Sequence, residues 1–159
     1  MQWLKKLFGG KDAAKAPVLP QEWVMPVAGE TIALADVNDE AFARGMMGAG
    51  FAIRATDSTI KSPVNGRVEA VFPGGHAMGI LADDGTEILL HIGIDSVKQK
   101  GAGFRVLIEE GAAVRAGDPL LEVDFAALAH LPDTAVLILF TSITEGEVVI
   151  REGRPVWQA

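Results

Sequence analysis

The sequence contains no cysteine and no tyrosine, and only three of its 159 residues are histidine. Without cysteine the chain cannot form disulfides, thiolate metal sites, iron–sulfur clusters or a cysteine nucleophile. The longest apolar run, 135–140, is far shorter than the roughly 20 residues of a membrane-spanning helix, and no secretory signal pattern opens the chain. We therefore expect a cytoplasmic globular protein with few reactive side chains.

Charge is unevenly distributed along the chain. The 14 basic and 21 acidic residues give a net charge of −7. Residues 1–15 hold four lysines and one aspartate, or +3, so the ten basic and twenty acidic residues that remain give the body −10. The body is expected to repel nucleic acid and to attract a basic partner. Only the first segment could be drawn to an anionic surface.

Residues 1–20 are predicted to form a flexible tail and linker, and residues 21–159 a single domain. If the first ten residues are helical, four apolar side chains lie on one side with lysines away from it: Trp3, Leu4, Leu7 and Phe8. This pattern indicates either a frayed terminus or an amphipathic anchor that binds an anionic membrane surface through residues 1–10. Segment 11–20, rich in Ala, Lys and Pro, is typical of a linker.

From Trp23 onward, short β patterns alternate with turns rich in Gly, Pro, Asn and Asp. Two helical turns are predicted, at 39–44 and 125–130, capped by Asp39 and Asp124. The motif that begins at Pro26 recurs 37 residues later at Pro63. Strands are predicted at 24–28, 30–35, 51–55, 66–72, 77–82, 86–92, 104–108, 119–123, 135–141, 147–150 and 155–157. The fold class is therefore all-β, an antiparallel sandwich or barrel with internal duplication.

His91 lies in an otherwise apolar strand pattern. Alternation places it on one face with Leu89 and Gly93, and three aliphatic side chains on the other. A core histidine is one interpretation. The other depends on Gly93, whose carbonyl is free to accept from Nδ1 of His91. That bond would fix the tautomer in which Nε2 is a nucleophile.

His76 lies in a glycine-rich turn before the preceding strand. A hairpin centred on Asp84 is predicted to make His76 and His91 cross-strand partners. Two facing imidazoles suggest either metal ligation or the transfer of an anionic group. His130, in an alanine-rich helical turn, is predicted to have a packing or helix-end role.

With these residues identified, the chain from about Val24 to Val156 resembles the glucose-type enzyme IIA family of the bacterial phosphoenolpyruvate-dependent sugar phosphotransferase system. The resemblance rests on segments 28–30, 36–43, 48–53, 62–66, 75–77, 90–97, 100–104 and 109–111. It implies that residues 21–159 form an enzyme IIA domain with the duplicated β-sandwich of that family, acting as a phosphocarrier without a cofactor. His91 would accept a phosphoryl group at Nε2 from the histidine-containing phosphocarrier protein (HPr). It would then pass the group to a cysteine of enzyme IIB, in the IIB/IIC sugar permease.

The resemblance also implies roles for other residues. His76 would stabilise the phosphoryl group without being phosphorylated, with Gly93, Asp95 and Ser96 in support. No metal is required, although the two histidines are possible adventitious or regulatory zinc ligands. The family's docking surface corresponds to an apolar depression with an acidic rim, and core packing is the alternative interpretation of its apolar members. The matching residues are Ala41, Phe42, Met46, Met47 and Phe72 in the depression, and Asp39, Glu40, Glu87 and Asp95 at the rim.

Three positions depart from the family pattern. Gly74 stands where a threonine is usual, and Ser96 keeps a hydroxyl where the family has threonine. Segment 141–146 replaces a longer acidic and helical segment, so contacts with regulatory target proteins cannot be carried over from family members.

Two other functions compete with the phosphocarrier interpretation. The spacing from His91 to Asp95 spells H-x-x-x-D, which is compatible with a zinc hydrolase, but the H-x-H ligand pair of the related peptidase fold is missing. The second alternative is a regulatory protein-binding module in which the histidine is structural.

Overall fold

The computed structural model describes residues 16–159. Its regular structure is almost entirely β, with one four-residue helix, α1 (Glu40–Ala43), and three 3-10 turns within that range, at Leu34–Asp36, Ser96–Gln99 and Phe125–Leu128. No helix in this range is long and apolar enough to cross a membrane. The strands are β1 (Gly29–Ala33), β2 (Ala49–Ala55), β3 (Thr59–Lys61), β4 (Gly66–Val71), β5 (Ala77–Ala82), β6 (Glu87–Ile92), β7 (Phe104–Val106), β8 (Ala113–Val114), β9 (Pro119–Val123), β10 (Val136–Phe140), β11 (Glu147–Arg151) and β12 (Arg154–Gln158).

The strands form antiparallel sheets, as the alternating pattern predicted. The largest has seven strands in the order β1-β2-β10-β6-β5-β4-β8, and a smaller one has the order β3-β9-β7. Strands β11 and β12 pair as a separate hairpin. Because β10 joins β2 to β6, a strand late in the sequence lies at the centre of the large sheet.

The repeated sequence motif corresponds to a repeated structural unit. The Val24 N–H donates to the Pro63 carbonyl at 2.8 Å, and the Lys61 N–H donates to the Pro26 carbonyl at 2.8 Å. Lys61 is 37 positions after Val24, and Pro26 is 37 positions before Pro63. The two bonds are therefore equivalent, and each of the two proline-led segments donates to the other. A strand then begins within each copy, β1 in the first and β4 in the second. The predicted duplication is thus confirmed in the fold.

Several element boundaries differ from the predictions. Segment 24–28 is not a strand, because the reciprocal bonds at Val24 and Pro26 replace a continuous ladder. Strands β3 and β8 were not predicted, since three and two residues are too few to show alternation. Both helical turns are confirmed with their caps. Asp39 accepts from the Phe42 N–H, and Asp124 from the Ala127 N–H of a 3-10 turn.

Each face of the large sheet is covered by its own apolar cluster. The main core lies against the smaller sheet and takes three residues of β6: Ile88, Leu90 and Ile92. Leu89 belongs to a second cluster on the opposite face, and Phe42, Met47 and Phe72 pack against this cluster. His91 shares this second face, as alternation predicted. The fold therefore brings His91 under the segment that contains α1.

Candidate functional site

The two histidines predicted to meet do so, although not as cross-strand partners. Their ring centroids are 5.4 Å apart with an interplanar angle of 82°. The register pairs His91 with Ala77, so the prediction that His76 is its partner was wrong by one residue. His76 precedes β5, after Gly74 and Gly75, whose φ values of +89° and +84° turn the backbone. In a continuous strand the side chains of His76 and Ala77 would face opposite sides of the sheet. Because His76 lies outside the strand, its side chain can lie on the same side as His91.

The backbone after His91 turns sharply and is held by hydrogen bonds. Gly93 has a φ of +73° and Asp95 a φ of +61°. The Gly93 N–H donates to the Ala135 carbonyl at 2.8 Å, and the Ser96 hydroxyl donates to the Gly93 carbonyl at 3.4 Å. Gly93 and Ser96 are buried and Asp95 is exposed.

Nδ1 is the enclosed nitrogen of both rings. In His76 and in His91 this atom is buried and has no hydrogen bond of full geometry. The nearest acceptors are the carbonyls of Pro73 for His76 and Gly93 for His91, and each favours the protonated ring. Nε2 is therefore the nitrogen that an incoming group can reach.

Burial keeps both imidazoles neutral at physiological pH. It lowers the pKa of His91 from 6.5 to about 4, and the neighbouring His76 lowers it further, while the Gly93 carbonyl and Asp39 oppose both effects. Burial also lowers the pKa of His76, against the raising effect of the Pro73 carbonyl. A neutral imidazole has a free lone pair on one nitrogen, so His91 is electronically suited to nucleophilic attack.

Aromatic side chains cover the histidine pair. The Phe42 ring lies 5.0 Å from the His91 ring, and the Phe72 ring lies 6.1 Å from the His76 ring, measured between centroids. Both phenylalanines and Met47 are partly buried against the second cluster. Met46 is 69% exposed and Ala41 is half-buried. The five apolar candidates are therefore partly buried or exposed, and none of them is fully buried.

The acidic candidates differ in their partners and in their effect on His91. Asp39 is close enough to His91 to raise its pKa. Glu40 is exposed and pairs with Arg44 at 2.6 Å, and Asp95 is exposed and lies 3.8 Å from Lys98. All three carboxylates are at least partly accessible to solvent.

Glu87 lies away from the histidine pair along β6, and His130 is a surface residue. Glu87 begins β6, four residues before His91, which corresponds to roughly 13 Å along a strand. Its carboxylate accepts from the Thr141 hydroxyl at 3.5 Å. His130 is exposed and follows the 3-10 turn that ends at Leu128, so it has no packing role.

Sequence reasoning missed an ion pair between a buried aspartate and a half-exposed arginine. Arg54 Nη1 lies 3.1 Å from Oδ1 of Asp133, whose residue is 7% exposed. Burial raises the pKa of Asp133, but hydrogen bonds from the N–H groups of Asn38 and Ala135, together with Arg54, outweigh burial and hold it below its usual range. An aspartate in front of an apolar strand resembles an ordinary turn residue, so the pattern contained no signal of this role.

The donor set does not match a zinc site. Within residues 16–159, no group of three or more histidine and acidic side chains is placed to hold a metal. His76 and His91 supply two imidazoles, whereas protein zinc sites generally use three or four side-chain ligands. The carboxylate of Asp95, which completes the H-x-x-x-D spacing, is exposed beside Lys98.

The chain is similar to known proteins both in sequence and in fold. Residues 21–145 match the family model described as phosphoenolpyruvate-dependent sugar phosphotransferase system, EIIA 1. The chain is 46% identical over 118 residues to a PTS system glucose-specific EIIA component of Staphylococcus aureus, covering 74% of this chain and 69% of that protein. The corresponding protein of Staphylococcus epidermidis is 43% identical over 121 residues, covering 76% and 70%. The structure of glucose permease IIA from Mycoplasma capricolum superposes with a TM-score of 0.76 at 37% identity, covering 85% of this chain and 92% of that one.

Proposed function

Because the chain belongs to the EIIA 1 family of the phosphoenolpyruvate-dependent sugar phosphotransferase system and is a phosphocarrier of that system, we propose that His91 carries the phosphoryl group. The observation that supports this choice is the state of its ring. Burial holds the pKa of His91 at about 4 and Nδ1 is enclosed, so a neutral ring presents Nε2. No other histidine of the chain combines these properties with a position at the end of a central strand.

The transfer is an in-line exchange between two nitrogens. Nε2 of His91 attacks the phosphorus of phosphorylated HPr, the bond from phosphorus to the donor histidine breaks, and that histidine leaves with its electron pair. In the second half-reaction a cysteine thiolate of enzyme IIB attacks the same phosphorus and His91 leaves. The Gly93 carbonyl stabilises the proton on Nδ1 throughout, because it favours the protonated ring.

His76 stabilises the phosphoryl oxygens in this proposal. Its ring lies edge-on to His91 with centroids 5.4 Å apart. Two negative charges on the transferred group raise the pKa of a neighbouring imidazole and favour its cation, which donates from both nitrogens. The Pro73 carbonyl already favours that cation. Gly74, where a hydroxyl is usual in the family, leaves this carbonyl as the group that orients His76.

The partners are basic HPr and the enzyme IIB domain of the sugar permease, which the role of the family implies. We assign docking to the apolar surface of Ala41, Phe42, Met46, Met47 and Phe72, with Asp39, Glu40 and Asp95 as its acidic rim. The net charge of −10 for the chain after residue 15 supports attraction of a basic donor. Glu87 contributes only to this long-range field, because it lies at the opposite end of β6 from His91.

The protein acts in the cytoplasm, where phosphoenolpyruvate and HPr are found. Residues 1–10 bind an anionic membrane surface, but they lie outside the described residues, and so does most of the predicted tail and linker at 1–20.

The test is phosphoryl transfer to purified protein. Wild-type chain, His91→Ala and the matched control His130→Ala are incubated with phosphoenolpyruvate, enzyme I and HPr, and intact mass is measured. We expect one acid-labile phosphoryl group on the wild type and on His130→Ala, and none on folded His91→Ala. Full labelling of His91→Ala would move the acceptor to another residue. A wild-type chain that binds HPr without ever being labelled would instead favour the regulatory binding module.

A further inference from the structure

A buried carboxylate outside the histidine pair links three separate parts of the chain. The side chain of Asp133 is 4% exposed, and both of its oxygens accept hydrogen bonds. Oδ2 accepts from the backbone N–H of Asn38 at 3.0 Å. Oδ1 accepts from the backbone N–H of Ala135 at 2.9 Å and from Nη1 of Arg54 at 3.1 Å. This one side chain therefore connects the entrance of β10, strand β2 and the segment in front of α1.

The bond to Asn38 is important because α1 follows it directly. Asn38 is held a second time, by its Nδ2 atom donating to the Pro132 carbonyl at 3.2 Å. The next residue, Asp39, caps α1 by accepting from the Phe42 N–H at 3.3 Å, and the Phe42 ring lies 5.0 Å from His91. A helix of one turn is not stable by itself, so its position depends on the contacts at its ends.

The main chain at residues 133 and 135 also holds the turn that follows His91. The backbone carbonyl of Asp133 accepts from the Ile94 N–H at 2.9 Å, and the Ala135 carbonyl accepts from the Gly93 N–H at 2.8 Å. These bonds belong to the main chain and survive a change of side chain. The bonds that depend on an aspartate at this position are those of the carboxylate, to the Ala135 N–H, to Arg54 and to the Asn38 N–H. The last of these is the one that reaches the segment before α1.

We infer that Asp133 is a positioning residue whose carboxylate holds α1 in place over the turn after His91, and so sets the contact between the Phe42 ring and the imidazole. Arg54 supplies the counter-charge that makes a buried carboxylate tolerable at this place. The kinetic consequence of this inference rests on the proposed function, since Phe42 and Asp39 form part of the assigned docking surface. The geometric consequence does not depend on it.

The direct test is Asp133→Asn. The amide keeps the shape of the side chain, but its NH₂ group cannot accept, so at least one of the three donors facing the side chain loses its acceptor. We expect weaker nuclear Overhauser contacts between the Phe42 and His91 rings. We also expect the KM for phosphorylated HPr to rise roughly tenfold, the usual scale for one lost charge-assisted hydrogen bond, with kcat within about twofold.

A small phosphoryl donor separates docking from chemistry. Phosphoramidate transfers its phosphoryl group to histidine with release of ammonia and makes no protein contact, so Asp133→Asn should be labelled at His91 at the wild-type rate. The matched control is Asp118→Asn, in a turn between β8 and β9. There Oδ2 accepts from the Arg115 N–H at 2.9 Å, so the same change from carboxylate to amide is made at an exposed hydrogen-bonded aspartate in another part of the fold. The control should leave both KM and the ring contact unchanged.

A second variant covers a failure of Asp133→Asn to fold. The double change Arg54→Met with Asp133→Leu removes both charges, so no unpaired charge is buried, and still deprives the Asn38 N–H of its acceptor. An unchanged ring contact in the variant that folds, or an equal change in Asp118→Asn, overturns the positioning role. A wild-type chain that takes no label from HPr overturns the proposed function instead, and the ring contact still decides the role of Asp133.

Discussion

Protonation of His91 should make the folded protein less stable in mild acid. Burial lowers the pKa of this residue from 6.5 to about 4. Between those two values the unfolded chain binds a proton at this site that the folded chain excludes, so the free energy of unfolding falls as the pH decreases. The contribution is fully present above pH 6.5 and is lost progressively down to pH 4.

The size of the effect follows from the shift. A pH of 5 is about 1.5 units below 6.5, the ordinary pKa of the residue in the unfolded chain. At about 1.36 kcal/mol per unit, the free energy of unfolding falls by about 2 kcal/mol. For a chain of this length, that loss lowers the melting temperature by roughly 4–8 °C. The pKa values of His76 and Asp133 are also lowered in the folded protein, so the comparison must isolate His91.

The assay is urea or thermal unfolding of wild type and His91→Gln at pH 7.5 and pH 5.0. Glutamine does not titrate, so the wild type should lose about 2 kcal/mol more than His91→Gln between the two values. His130→Gln is the matched control. Its histidine is exposed, so this variant should follow the wild type. Parallel losses in wild type and His91→Gln would refute the claim that the folded state holds this imidazole neutral.

Three further predictions concern phosphotransfer and docking. His76→Gln should still accept a phosphoryl group from HPr but pass it slowly to enzyme IIB, because glutamine cannot become a cation; wild-type rates in both half-reactions would make His76 a bystander. Phe72→Ala should speed dissociation of HPr at a cost of about 1–3 kcal/mol. Phe125→Ala removes another partly buried phenylalanine, one that packs against the main core, and should affect only stability. Unchanged dissociation of Phe72→Ala with a large loss of melting temperature would instead assign Phe72 to the core. Raising salt from roughly 0.05 to 0.5 M shortens the Debye length about threefold and should slow association with little effect on dissociation; an association rate independent of salt would contradict steering by the acidic rim.

Local patterns in the sequence were sufficient for most of the fold. The alternation in β6 was enough to separate Ile88, Leu90 and Ile92 from His91, because successive strand residues face opposite sides. The caps at Asp39 and Asp124 depend on bonds to N–H groups three residues away, so they could be recognised locally. The repeated motif likewise predicted the duplicated unit.

Tertiary structure decided the details on which the site depends. The hairpin register placed Ala77 rather than His76 opposite His91, and two glycines with positive φ brought the second imidazole back to the same face. A count along the sequence cannot supply this turn, because one residue of slip reverses the face of every side chain in a strand.

The sequence alone determined which residues could react, and tertiary structure decided their state and support. An imidazole among aliphatic residues was visible in the sequence, but its lowered pKa results from burial by several segments, including Phe42 of α1. Asp133 meets Asn38 across 95 residues and Arg54 across 79. Hydrogen bonds of that separation leave no periodic trace, since only the folded backbone brings their donors and acceptor within reach.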